Sequence, residues 1–266
     1  MKLKLNDKIR FLILTSLVTT LISVQVFSIL PFENVMIKAD ADDIVLLEDI
    51  ANGILDWKKD TQNNSLNNDL IEDHLINAAG NPAADWYAIA SGMLFPDKDF
   101  PKYLNALYEF INAKYDEGIS GNSSPIDFHR IIIAINSLGG DASKIPTKDP
   151  DRFINLVSDF IYNRENLNML VNTLCWGLIA LDSLDYEYPD NALFTREKII
   201  SEIINLKIPG KGFALTGNVT DPDITAMVIQ ALAPYYSSSM NYKFKNPQEH
   251  GAEDVTVAKI VDESLS

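Results

Sequence analysis

The chain has 266 residues, 47% of them apolar, enough to bury a sizeable core. Its 37 acidic and 22 basic residues give a formal net charge of −15. Such a surface repels nucleic acid and anionic membranes, and it suits cations or a cationic wall polymer. Cys175 is the only cysteine, so no intrachain disulfide forms and packing alone must hold the fold.

The first residues read as an export signal. Lys2, Lys4, Lys8 and Arg10 form a basic start, residues 11–30 are almost uncharged and mostly apolar, and Ala39 offers the small residue that a signal peptidase selects. Residues 1–39 are therefore expected to be a signal peptide, with the mature protein starting near Asp40. The alternative is an uncleaved membrane anchor through residues 11–30, which is long enough to span a bilayer.

From residue 40 onward apolar residues recur at three and four, which predicts helices and almost no strands. Helices are expected near 42–58, 66–79, 83–94, 99–114, 126–138, 150–161, 167–184, 194–206 and 224–233. Those at 99–114, 150–161 and 194–206 carry one apolar stripe, for example Phe100, Tyr103, Leu107 and Ile111. Those at 83–94, 126–138, 167–184 and 224–233 are apolar nearly all round and must be covered all round. Their alternation predicts an inner and an outer layer. Asp85-Trp86-Tyr87-Ala88-Ile89-Ala90 recurs as Cys175-Trp176-Gly177-Leu178-Ile179-Ala180, as a helical repeat would. Asn81-Pro82, Ser124-Pro125, Asp149-Pro150 and Asp221-Pro222 each place a capping side chain before a proline, which predicts four helix starts. At the other end, Val255, Val257, Ala258, Val261 and Leu265 continue a helical pattern.

Two carboxylates, Asp221 and Asp223, stand one residue apart before an apolar run. They are the candidate catalytic acids, and helix capping and cation binding by the carboxylate pair are the competing roles. Trp86, Trp176, Phe213 and Tyr235 are candidate ligand-binding aromatics, able to line a cavity for an apolar or cationic molecule. His74, His129 and His250 are scattered and Cys175 lies within an apolar segment, so no metal site is expected.

Gly212-Phe213-Ala214-Leu215-Thr216-Gly217, Asp221-Pro222-Asp223-Ile224-Thr225-Ala226-Met227 and Gln230-Ala231-Leu232-Ala233-Pro234-Tyr235 resemble the repeat of the prenyltransferase and squalene-cyclase superfamily. Secreted bacterial proteins with a single such domain are the nearest likeness. The resemblance implies an all-α fold, an α/α toroid of helical hairpins around a central cavity, here incomplete over residues 40–266. Such a ring is either truncated, with downstream sequence missing, or has an open edge that would self-associate or meet a partner. Class II terpene cyclases of the superfamily protonate an alkene with the middle Asp of Asp-x-Asp-Asp, which by position is Asp223. The next acid of that motif is Ile224 here, which removes a neighbour that tunes the acid. Three functions follow: a secreted or cell-surface module that binds a small molecule or surface partner without catalysis or cofactor, an isoprenoid cyclase, and a spacer of a larger surface protein.

Overall fold

The computed structural model describes residues 41–61, 69–119, 123–164, 170–245 and 251–265, so the expected signal segment lies outside the described residues. The described part is mostly helical. The helices are α1 Ala41–Thr61, α2 Pro82–Leu94, α3 Pro101–Asp116, α4 Pro125–Ser137, α5 Val171–Asp182, α6 Arg196–Asn205, α7 Pro222–Leu232 and α8 Val257–Ser264. The chain forms two compact units. One runs to Ala113 and includes Ser137–Gly140; the other comprises Lys114–Asn136 and Asp141–Ser266.

In the first unit, α2 starts as its sequence predicts. Asn81 accepts from the Ala83 amide at 2.9 Å and Pro82 opens the helix. Nine of its residues are buried, among them Asp85, which accepts from the Tyr103 hydroxyl at 2.9 Å and from the Gly80 amide at 3.0 Å. The helix expected at 66–79 is instead a π-turn, Leu70–His74, and a 3-10 turn, Ile76–Ala78. Asp69 sets its start by accepting from the Ile71 and Glu72 amides, and Gly80 at φ 86° ends it with a left-handed turn. Helix α3 buries Tyr103, Leu107 and Ile111, a single stripe at spacing four. Its start is capped from a distance. Glu72 accepts from the Lys102 and Tyr103 amides, both at 3.0 Å.

In the second unit, α4 is buried from Phe128 to Asn136. The Phe128 ring stacks on Phe160 at 3.6 Å between centroids. His129 Nε2 donates to the Phe160 carbonyl at 3.1 Å. Helix α5 is covered nearly all round, with Val171, Leu174, Cys175, Leu178, Ala180 and Leu181 all buried. Gly177 permits this, because a Cβ there would lie 3.1 Å from the His129 ring. Helices α6 and α7 pack on α5, and α6 contributes Ile199, Ile200, Ile203 and Ile204. Helix α8 packs on α7, and Lys207, its side chain fully buried, reaches Glu263 at 3.1 Å.

Three further expectations differ from the structure. Residues 150–161 are not one helix. Strand β1, Ile145–Pro146, pairs antiparallel with β2, Phe153–Ile154, and Asp149-Pro150 lies in the hairpin turn between them. Asp149 accepts from the Asp151 amide at 3.1 Å, and Thr147 donates to the Asp149 carbonyl, so the capping side chain closes a turn. Helical structure resumes only after Asn155, which accepts from the Ser158 amide at 2.8 Å, and continues as the π-turn Ser158–Tyr162. Phe153, within that segment, is 60% exposed. Strands are also more than almost absent: β3, Tyr242–Phe244, pairs antiparallel with β4, Glu253–Val255. Helix α7 is buried along one stripe only, Ile224, Val228, Ala231 and Leu232, while Ala226 is exposed and Met227 and Ile229 are half-buried.

The Glu72 cap predicts a measurable loss. Glu72→Ala leaves two amides at the start of α3 without their partner and should lower stability by about 1–2 kcal/mol. Glu72→Gln, which keeps one acceptor oxygen, should lose less. Chemical denaturation of both variants checks this.

Candidate functional site

The stretch from Gly212 to Thr225 is a clamp across the start of α7. Phe213 is fully buried. Thr225 Oγ1 accepts from the Phe213 amide at 2.9 Å and donates to its carbonyl at 3.3 Å. The Asp221 amide donates to the same carbonyl at 2.8 Å. Gly212 is required by proximity, because a Cβ there would sit 2.4 Å from Thr225 Oγ1.

Within this clamp the two acids part company. Asp221 is the cap of α7: Oδ1 accepts from the Asp223 amide at 2.8 Å and from the Ile224 amide at 3.3 Å. Asp223 is exposed on the first turn, and Ile224, where the cyclase pattern has an acid, is buried. The loop between Phe213 and Asp221 faces solvent, with Val219 83% exposed. Asp221 is thus occupied as an acceptor at the positive end of a helix, a place that favours negative charge.

The four aromatics do not share one setting. Trp86 is half-buried on α2 in the first unit. In the second unit, Trp176 is half-buried on α5, while Phe213 and Tyr235 stand at the two ends of α7. Tyr235 donates to Asp182, with its hydroxyl 2.8 and 3.0 Å from the two carboxylate oxygens.

Asp182 belongs to a polar hub that sequence reasoning missed. Arg196 Nε donates to Asp182 at 2.7 Å, and its other nitrogens donate to the Leu181 carbonyl at 2.8 Å and to the Tyr186 carbonyl at 2.5 Å. Arg196 thereby satisfies carbonyls at the end of α5 while pairing with its last carboxylate. Burial raises the Asp182 carboxyl above the ordinary range, with Arg196 and Tyr235 pulling the other way. A perturbed carboxyl beside a tyrosine fits a proton-handling site as well as a structural ion pair. Here both carboxylate oxygens are engaged in joining α5, α6 and the turn after α7. Cys175 is fully buried and burial raises its thiol well above the usual range, which suits a core residue and not a nucleophile.

A second missed arrangement lies in the first unit. A cavity of about 110 Å³ is lined by Leu55, Asp56, Lys59, Asp69, Phe95, Lys98 and Phe100, with Asn52 and Ser91 as polar neighbours. Lys98 pairs with Asp69, and its ammonium lies 5.1 Å from the Phe100 ring and 5.9 Å from the Phe95 ring. Burial works to raise the Asp69 carboxyl, but the Lys98 ammonium and the Glu72 and Ile71 amides hold it below its ordinary value. The run Phe95-Pro96-Asp97-Lys98-Asp99-Phe100 carried the local half of this signal, a cation between two aromatics.

Among the described residues, no three of His, Cys, Asp and Glu converge as metal ligands, and no helix is long and apolar enough to cross a membrane. The fold class is all-α, carried by two compact units with two short antiparallel ladders. Compared with family models, curated proteins and solved structures, the chain matches none of them.

Asp221→Ala should lower stability by about 1 kcal/mol through loss of the α7 cap, while Asp221→Asn should be nearly neutral because asparagine caps as well. Asp223→Asn should change little. Thermal unfolding of the three variants separates these outcomes.

His129 predicts a pH dependence. Burial pushes its imidazole down to about 4 from an ordinary 6.5, so the folded protein holds it neutral. The unfolded chain takes up its proton first as pH falls, so this contribution is complete above pH 6.5 and is lost on acidification towards pH 4. The loss should reach about 3 kcal/mol. His129→Gln should flatten the slope of unfolding free energy against pH in that window.

Proposed function

We propose that this chain is a secreted or cell-surface α/α-toroid module that binds a small molecule or a surface partner and performs no chemistry itself. The observation that carries the reading is the fate of the acid motif. Asp221 is engaged as the cap of α7, and the neighbour that a cyclase acid needs is the buried Ile224. Thr225, the next residue of the motif, is engaged by the backbone of Phe213. Protonating an alkene demands a strong, supported acid, and Asp223 stands exposed on the first helical turn without that neighbour.

The toroid reading draws support from burial. Helices α2, α4 and α5 are covered over most of their circumference, whereas α3 and α6 bury one stripe. The half-covered apolar face of α7 at Ala226, Met227 and Ile229 supports an incomplete ring. The basic, apolar and small-residue order of residues 1–39 supports export.

The test pairs two measurements. Wild type and Asp223→Asn are incubated with a linear polyprene, and native mass spectrometry is run on protein recovered from the cells that make it. The expected result is no cyclic product and a bound small molecule or partner. A cyclic product from wild type, lost in an Asp223→Asn variant that unfolds normally, would make the protein a cyclase and overturn this reading.

A further inference from the structure

We propose that the cavity of the first unit is an ammonium-binding site, held in the present structure by the chain's own Lys98, and that it accepts a small organic cation in exchange. The proposal names a ligand class for the ligand-binding reading and rests on that reading.

The site has the parts that such recognition requires. Asp69 supplies a carboxylate that is already oriented. Its Oδ1 is locked by the Ile71 and Glu72 amides at 2.8 and 2.9 Å, and its own amide donates to Asp73 at 2.9 Å. Oδ2 is left to face the cation, and Lys98 meets it there. Phe100, 2% exposed, gives a fixed aromatic wall, and Phe95, 38% exposed, gives a second at the rim. A cation inside is drawn to both ring faces as well as to the carboxylate.

Lys98 is a replaceable occupant. It lies in the turn between α2 and α3, where residues 95–99 are all exposed, and its side chain is itself 47% exposed. Rotation of that side chain into water opens the box without moving either helix. The cost is the ion pair with Asp69 and the two ring contacts, and an entering cation that takes the same place regains them. The other cavity charges balance each other, with Lys59 on Asp56 at 3.4 Å. An entering cation therefore takes over the charge that Lys98 now matches. A methylated ammonium is the better competitor, since it gives up less hydration than a lysine ammonium and keeps both ring contacts. The volume of about 110 Å³ lies well under the roughly 300 Å³ where pockets for drug-sized molecules begin, so only a small cation or a cationic head group enters.

Tetramethylammonium is the probe, titrated by calorimetry into the full chain against sodium chloride of equal ionic strength. Wild type should bind it saturably. Lys98→Met, which keeps the apolar stem and removes the competitor, should bind about tenfold tighter. Asp69→Asn in the Lys98→Met background should lose that binding while unfolding normally, since asparagine preserves the cap. Phe95→Leu, at the rim, should weaken binding without changing stability. The proposal is overturned if wild type binds no better than in the sodium control, if Lys98→Met gains nothing, or if Asp69→Asn keeps the affinity. A natural ligand whose binding Asp69→Asn leaves unchanged would also overturn this site, while leaving the ligand-binding reading intact.

Discussion

Every helix ends in backbone groups that the helix itself cannot satisfy, and a chain of short helices without disulfides must meet that demand many times over. Much of the polar architecture here answers it. Asn81, Thr195, Asp221 and Thr256 cap the helices that follow them. Asp69 does the same for a π-turn, and Asn155 for the helical segment after the first hairpin. Where the local chain offers no cap, distant side chains supply one: Glu72 for the start of α3, and Arg196 for the end of α5. A share of the excess acidic charge is thus placed where helix dipoles favour it.

The same demand explains why perturbed groups in this protein need not mark chemistry. Asp182 is driven upward by burial, yet it sits at the end of α5 between an arginine and a tyrosine that bind that helix end to two neighbours. Removing either partner would strand a charge in a nearly dry place, which costs more than the pair contributes when intact. The cavity at Asp69 differs in kind. Its carboxylate also caps a turn, but one oxygen remains turned towards an open space with aromatic walls and an exposed lysine. A cap that keeps one oxygen turned to a cavity can serve structure and recognition together.

The tripeptide Asp-Pro-Asp shows how far local chemistry reaches. At Asp221 it starts a helix; at Asp149 it closes a hairpin. Both uses satisfy an amide two residues on with the aspartate side chain, and the local sequence does not separate them. What separates them is the packing of the residues that follow. After Asp221, Ile224 and Val228 fall on the buried stripe of a helix that packs on α5. After Asp149, Phe153 faces solvent and Ile154 pairs with Ile145.

The sequence by itself determined the helical class, the starts of α2 and α7, and the buried stripes of α3 and α6, because proline caps and apolar spacing of three and four act within a few residues. It also marked the stretch around Asp221 as a place where many constraints meet. Tertiary structure decided the rest. The three-residue strands at Tyr242–Phe244 and Glu253–Val255 are too short to show alternation and exist only through each other. The Glu72 cap joins residues 30 apart, and the Lys98 pair with Asp69 joins residues 29 apart. Such pairings carry no local signature, since a charged side chain finds its partner only after the apolar faces have set the distance between them.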